Sequence, residues 1–260
     1  AGDPQPDAAP PARPIGGRVM VGAIYSNWLE WLPDQLDGLF VSVQLTAAIL
    51  ATGLPLGVLL ALGVASPAKP IRWAALVVVE LGRGTPAFVI LLLVYYGLPQ
   101  VDVLIPAFAC GVIAFGLAMG AYTSEVFRAA FGAVGKVQRE AADAVGLTGF
   151  DAFRYVTLPQ ALRIATPALM GWAILFFQAT SLCFTIAVPE LMTTAYNQGS
   201  VTLDFIGAFA LAGTLYASIS IPASYLVSRL ERRLDQQGQG ARPRSRRWLR
   251  GARTPAPSEG

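Results

Sequence analysis

Histidine is absent from this 260-residue chain, and charge is scarce: Asp, Glu, Lys and Arg together make up 13% of it. Without histidine, a Ser-His-Asp triad, a Cys-His pair and a His-ligated zinc site are all excluded. Cysteine is almost missing as well. Cys110 and Cys183 each sit in an apolar run with no Cys-x-x-Cys spacing, which suits buried packing rather than metal binding. No Gly-x4-Gly-Lys-Ser/Thr pattern occurs, so the chain has no phosphate-cradling loop of that kind, and any ATP it depends on must be hydrolysed by another polypeptide. Neither a metal nor a cofactor is expected. An average soluble domain carries about 25% charged residues, so the charge here is too thin to cover a soluble surface. With 54% hydrophobic residues and a mean hydropathy of +0.53, the chain reads as an all-helical integral membrane protein.

A membrane-spanning helix needs ~20 mostly apolar residues, because the hydrocarbon core is ~30 Å thick. Charge-free gaps between Asp37 and Lys69, Arg83 and Asp102, Asp102 and Glu125, Arg163 and Glu190, and Asp204 and Arg229 therefore mark five spans. The second gap is short, so its span is expected to begin in Trp73–Leu81 and to run as a broken element through Gly84 and Pro86. Gly53, Pro55 and Gly57 suggest a kink in the first span. Lys and Arg concentrate at 66–83, at 125–163 and after Arg229 and are missing at 99–105 and 190–203, which places the N-terminus outside and the C-terminus inside.

The domain division follows. Residues 1–23 form an extracytoplasmic tail, with five prolines in the first 14 residues and no basic-then-apolar leader pattern, and are expected to be disordered. Residues 24–37 mix Trp28 and Trp31 with Glu30, Asp34 and Asp37 and suit an interfacial segment. The transmembrane domain occupies 38–234. Residues 235–260 form a basic, disordered cytoplasmic tail with Arg242, Arg244, Arg246, Arg247, Arg250 and Arg253 around Trp248; tethered at a membrane, it meets anionic lipid before any nucleic acid.

The cytoplasmic loop at about 125–163 is long and charged, yet its grammar is that of ordered structure. Gln138–Val145 is a run of good helix formers closed by Gly146, which can adopt the left-handed conformation. Thr148 stands three residues before Asp151 and starts a second short helix, which Leu158-Pro159 is expected to stop, leaving Pro159 to open the next helix. Ala141 and Ala142 are small enough to let the two short helices pack as a rigid knob.

The run EAADAVG, nine further residues and then VTLP resembles the EAA loop of permease subunits of ABC transporters. ELGRGTP at 80–86, YYGLP at 95–99, AYTSEVFR at 121–128, LPQALRIATPAL at 158–169 and VPEL at 188–191 extend the resemblance to the polar-amino-acid branch of that family, over about 28–234. What this implies is a multi-pass subunit of the bacterial inner membrane with the ABC importer permease fold. It would pair with a second copy or a sister permease and work with cytoplasmic ABC ATPase subunits and an extracytoplasmic solute-binding protein. The solute would be a small polar one, an amino acid or related zwitterion. The same resemblance implies that Glu140, Ala141, Ala142, Gly146, Phe150, Leu158 and Pro159 couple the subunit to the ATPase. ELGRGTP has two readings: a helix start, with Arg83 as an inside anchor and Thr85-Pro86 as cap and first turn, or a direct part in transport.

In the fourth span Gln178, Ser181 and Thr185 recur on one helical face, with Thr180 beside it. Two readings stand: a solute pathway, or hydrogen bonding between helices. Relatives commonly read KDTSL where this chain has QATSL, so Gln178 and Ala179 replace a charged pair. Glu190 is then the nearest charge on the outer side, either part of the pathway or a solvated carboxylate at an interface. The competing class is a secondary transporter or other polytopic protein not coupled to ATP. Against it stand the lack of an internal repeat and of ionisable residues in the spans as drawn. An intramembrane protease would need a paired Asp, a Ser-His or a metal constellation, and the chain has none in view.

Overall fold

A computed structural model describes residues 27–134 and 136–239; the tail at 1–23, residues 24–26 and the basic segment 240–260 lie outside the described residues. Every regular element within them is helical: α1 (Trp28–Val64), α2 (Lys69–Gly84), α3 (Ala87–Gly97), α4 (Ala107–Ala133), α5 (Lys136–Ala144), α6 (Gly149–Asp151), α7 (Leu158–Ala179), α8 (Leu191–Thr202) and α9 (Phe205–Gln239). A 3-10 turn follows α3 over Leu98–Val101, a π turn joins α6 to α7 over Ala152–Thr157, and a 3-10 segment extends α7 over Thr180–Ile186.

Four long apolar helical stretches are able to cross a membrane: Trp28–Val64, Ala107–Ala133, Gly149–Ile186 and Phe205–Arg232. A fifth crossing is broken, as the sequence suggested: α2 and α3 meet at 105°. Thr85 and Pro86 form the extended joint there, with Thr85 closing α2 and Pro86 opening α3 without a side-chain cap. Packing supplies an independent argument for five. Along α1 and α4, Leu45 lies against Gly111, Gly53 against Met119 and Gly57 against Thr123, so the two helices run parallel. Parallel neighbours in sequence require one intervening crossing, which α2 and α3 provide.

The α1–α4 contact is made by glycine. Two Gly-x-x-x-Gly pairs, Gly53/Gly57 and Gly116/Gly120, face each other; a Cβ on Gly116 would stand 2.6 Å from Thr52 Oγ1, and one on Gly120 2.8 Å from Leu56 Cδ2. Small residues in this spacing let helix backbones approach closely inside lipid, where packing and not apolar burial drives association. The glycines read as a kink from sequence thus serve close approach, and α1 passes through Pro33 and Pro55 as one helix. Around this seam Leu45, Ile49, Phe115, Met119 and Phe176 form the largest buried cluster.

The segment placed at the interface is continuous with α1 from Trp28, and its Trp31 packs in a second cluster with Leu191, Ala195, Ala208 and Leu211. Trp28 donates to the Gly207 carbonyl (3.1 Å) and Gln35 to the Ala208 carbonyl (3.2 Å). Trp28 and Gly207 therefore share one end of the bundle, and Thr46 and Ser220 share its middle. The start of α1 and the end of α9 accordingly lie on opposite sides. Helix α9 continues to Gln239, past residue 234 where the disordered tail was expected to begin.

Candidate functional site: the α5–α6 knob and the α7 run

Helix α5 closes as its sequence dictates. Gly146 takes φ +78°, and the Leu147 amide reaches back to the Ala142 carbonyl (3.1 Å), satisfying carbonyls that a helix end leaves free. Thr148 accepts from the Asp151 amide (3.2 Å) and donates to the Asp151 carboxylate (2.6 Å), fixing the start of α6. Ala142 is buried, whereas Ala141 and Glu140 are exposed. Phe153 anchors the knob on α4, with its ring 5.6 Å from that of Phe131.

Leu158-Pro159 does not stop the second helix. The path from Gly149 to Ile186 is one helical run, because the turn before the proline widens: the Leu158 amide bonds to the Phe153 carbonyl five residues back. A proline lacks a donor and crowds the carbonyl one turn earlier, and a π turn relieves both problems without ending the helix. The loop thus becomes a rigid lever built onto a span. Its surface carries exposed apolar side chains: Val145 is 76%, Phe150 68% and Tyr155 65% exposed, with the Arg154 guanidinium over the Tyr155 ring. A hollow of about 320 Å³ lies beside it, lined by Leu62, Phe131, Ala152 and Phe153 among others.

Further along the same run, α7 tightens into the 3-10 segment at Thr180. Three residues per turn replace 3.6, so Ser181 stays on the face of Gln178 while Thr185, four residues further on, turns away from it. Gln178 is exposed, Ser181 and Thr185 are half-buried and Thr180 is buried. Their hydroxyls donate to local carbonyls: Thr180 to Phe177 (2.7 Å), Ser181 to Gln178 (2.7 Å) and Thr185 to Leu182 (2.8 Å). None of these three bonds bridges two helices.

Glu190 is fully buried, not solvated. It caps α8, accepting from the Met192 amide (2.9 Å), the Thr193 amide (2.8 Å) and the Thr193 hydroxyl (3.2 Å). The Tyr216 hydroxyl on α9 (2.8 Å) and the Ser42 hydroxyl on α1 (3.3 Å) also donate to it. One carboxylate therefore ties three helices together. Ser42 and Tyr216 lie 148 and 26 positions from Glu190, so the sequence around Glu190 carries no local signal of either.

A charged trio joins the end of α2 to α4. Glu125 and Arg128 lie within α4, and Arg83 at the end of α2 pairs with Glu125 across 3.5 Å. Arg128 pairs with the same carboxylate, and Tyr122 donates to the Arg83 carbonyl (3.3 Å). Arg83 is thus joined to α4 beside the break between α2 and α3. Among the described residues no cluster of His, Cys, Asp and Glu is arranged to hold a metal.

Comparison with known proteins agrees with this architecture. The chain is 30% identical over 211 residues to the arginine transport system permease protein ArtQ of Bacillus subtilis, covering 81% of this chain and 96% of that protein. It is 35% identical over 227 residues to the histidine/lysine/arginine/ornithine transport system permease protein HisM of Salmonella typhimurium, covering 82% and 97%. Among solved structures, an amino acid ABC transporter crystallised with histidines matches at 34% identity and a TM-score of 0.73, over 80% of this chain and 98% of the other. The MetNI methionine ABC transporter shares the fold, at 18% identity and a TM-score of 0.59 over 79% and 98%. Residues 53–236 match the binding-protein-dependent transport system inner membrane component, and the chain belongs to that family of ABC transporter permeases, as a transport subunit and not an enzyme.

Proposed function

We propose that this protein is the permease subunit of an ATP-driven importer for an amino acid or related zwitterion in a bacterial inner membrane. The observation that carries the reading is the likeness, along four-fifths of the chain, to an amino acid ABC transporter. The subunit pairs with a second copy or a sister permease. An extracytoplasmic binding protein delivers solute from the side where Trp28 and Gly207 lie, and the C-terminal end of α9 is cytoplasmic, in keeping with the distribution of Lys and Arg.

Coupling runs through the knob. Exposed Val145, Phe150 and Tyr155 supply an apolar contact surface for an ATPase subunit, Glu140 adds a charge-assisted contact at its edge, and Ala142, Gly146, Leu158 and Pro159 hold the geometry. Since α6, the π turn and α7 are continuous, a displacement of the knob is carried into the span that bears Gln178. Solute contact in this copy falls to exposed Gln178 and half-buried Ser181 and Thr185, through neutral hydrogen bonds. Thr180 and Glu190 shape that wall from behind, and charge selection is left to the binding protein or a sister permease.

Reconstitution tests the reading. Proteoliposomes containing the permease and its ATPase, with ATP inside and binding protein outside, should accumulate a neutral amino acid. Uptake that persists without ATP, driven by an ion gradient, would replace the ATP-driven reading with a secondary transporter.

A further inference from the structure

Where α7 and α9 diverge, a groove of about 350 Å³ opens, lined by Met170, Leu226, Arg229 and Leu230. Its depth is fixed by helix geometry. Arg229 lies 24 residues beyond Phe205, where α9 begins, so at ~1.5 Å per residue the guanidinium sits ~36 Å along the helix. That exceeds the ~30 Å hydrocarbon thickness. With the start of α9 taken as one boundary of the hydrocarbon, Arg229 stands at headgroup level, while Leu226, Leu230 and Met170 line an apolar trough that opens beside it.

The surroundings are cationic. Arg163 shares a face of α7 with Met170, seven residues away and two turns closer to that membrane surface, and Arg232 follows Arg229 by one turn on α9. Arg163, Arg229 and Arg232 are all exposed and enter no ion pair among the described residues. The nearby carboxylate in sequence, Glu231, is two positions from Arg229 and so points to another side of α9. An apolar trough with an unpaired guanidinium at its mouth has the chemistry of a phospholipid turned around: acyl chain below, phosphate above. A second helix of the same protein fits less well, because close helix contacts in lipid favour small residues, whereas this trough is built from long Leu and Met side chains.

We propose that the α7–α9 groove is a binding site for an anionic phospholipid, its acyl chain against Met170, Leu226 and Leu230 and its phosphate on Arg229. The site is separate from the solute path and from the knob, and the proposal does not depend on which solute is carried.

The full-length protein, purified in mild detergent and equilibrated with equal amounts of dioleoylphosphatidylglycerol and dioleoylphosphatidylcholine, is analysed for retained lipid by native mass spectrometry. The wild type should retain phosphatidylglycerol preferentially, and Arg229→Gln should lower that preference roughly fivefold, as expected for one arginine near a charged membrane surface. Arg229→Lys should keep most of it. Met170→Trp, which fills the trough and leaves the charge, should reduce retention of both lipids. Arg154→Gln, an exposed arginine on the knob, should change nothing. Equal retention of the two lipids by the wild type, an unchanged preference in Arg229→Gln, or an equal fall in Arg154→Gln would each overturn the proposal. So would loss of all retained lipid on dimerisation, since the groove would then be covered by a second copy.

Discussion

At Glu190 a single carboxylate receives five hydrogen bonds from three helices. Glu190→Ala removes the α8 cap and strands the Tyr216 hydroxyl, while Ser42 keeps the Gly38 carbonyl, which should cost about 3 kcal/mol. Ser42→Ala removes one neutral partner and should cost about 1 kcal/mol. Thermal midpoints in detergent separate the two; similar midpoints would mean that the carboxylate is not the organising group. Gln178 is the opposite case, exposed and without such a network. Gln178→Ala should leave stability within about 0.5 kcal/mol while raising the solute concentration needed for half-maximal uptake. Restoring charge with Gln178→Lys and Ala179→Asp should shift solute preference. No change in either transport measurement, with protein levels intact, assigns this surface to packing. Sequence analysis singled out both residues, but only the fold distinguishes them, since burial depends on neighbours far along the chain.

Among the elements, the α1–α4 seam and the knob make contrasting demands on glycine. Gly53→Leu would drive a side chain into Met119, whose Cβ stands 2.9 Å from where a Cβ on Gly53 would be. Overpacking of this kind should destabilise by about 1–3 kcal/mol, whereas Gly171→Ala, with open space around it, should be tolerated. Chemical denaturation in mixed micelles provides the comparison, and equal effects would refute the close seam. Gly146 matters for φ and not for space. Gly146→Pro would block the positive φ that closes α5 and should leave the protein in the membrane while weakening ATPase capture in pull-down. Undiminished capture would remove the knob from the coupling route. The α5 cap was legible because glycine and the Thr148–Asp151 spacing are local signals. The continuity of α6 with α7 was not: a proline rule based on α-helical geometry misses the π turn that accommodates Pro159.

For the whole molecule, the lack of a nucleotide-cradling loop and the exposed apolar knob lead to one expectation. The purified permease alone should not hydrolyse ATP, and adding its ATPase should give a stable complex seen as a shift in size-exclusion chromatography. Turnover by the permease alone would contradict the division of labour. Composition, charge gaps and the EAA spacing were enough for membrane class, five crossings and family, because hydrophobic length and short-range motifs are written along one dimension. Tertiary structure decided what depends on distant residues meeting: the glycine seam between α1 and α4, the Arg83–Glu125 pair, the burial of Glu190 and the turn of Thr185 away from the face of Gln178. Each of these turns on which helices touch and how their turns are wound, and a one-dimensional pattern of residue types contains neither.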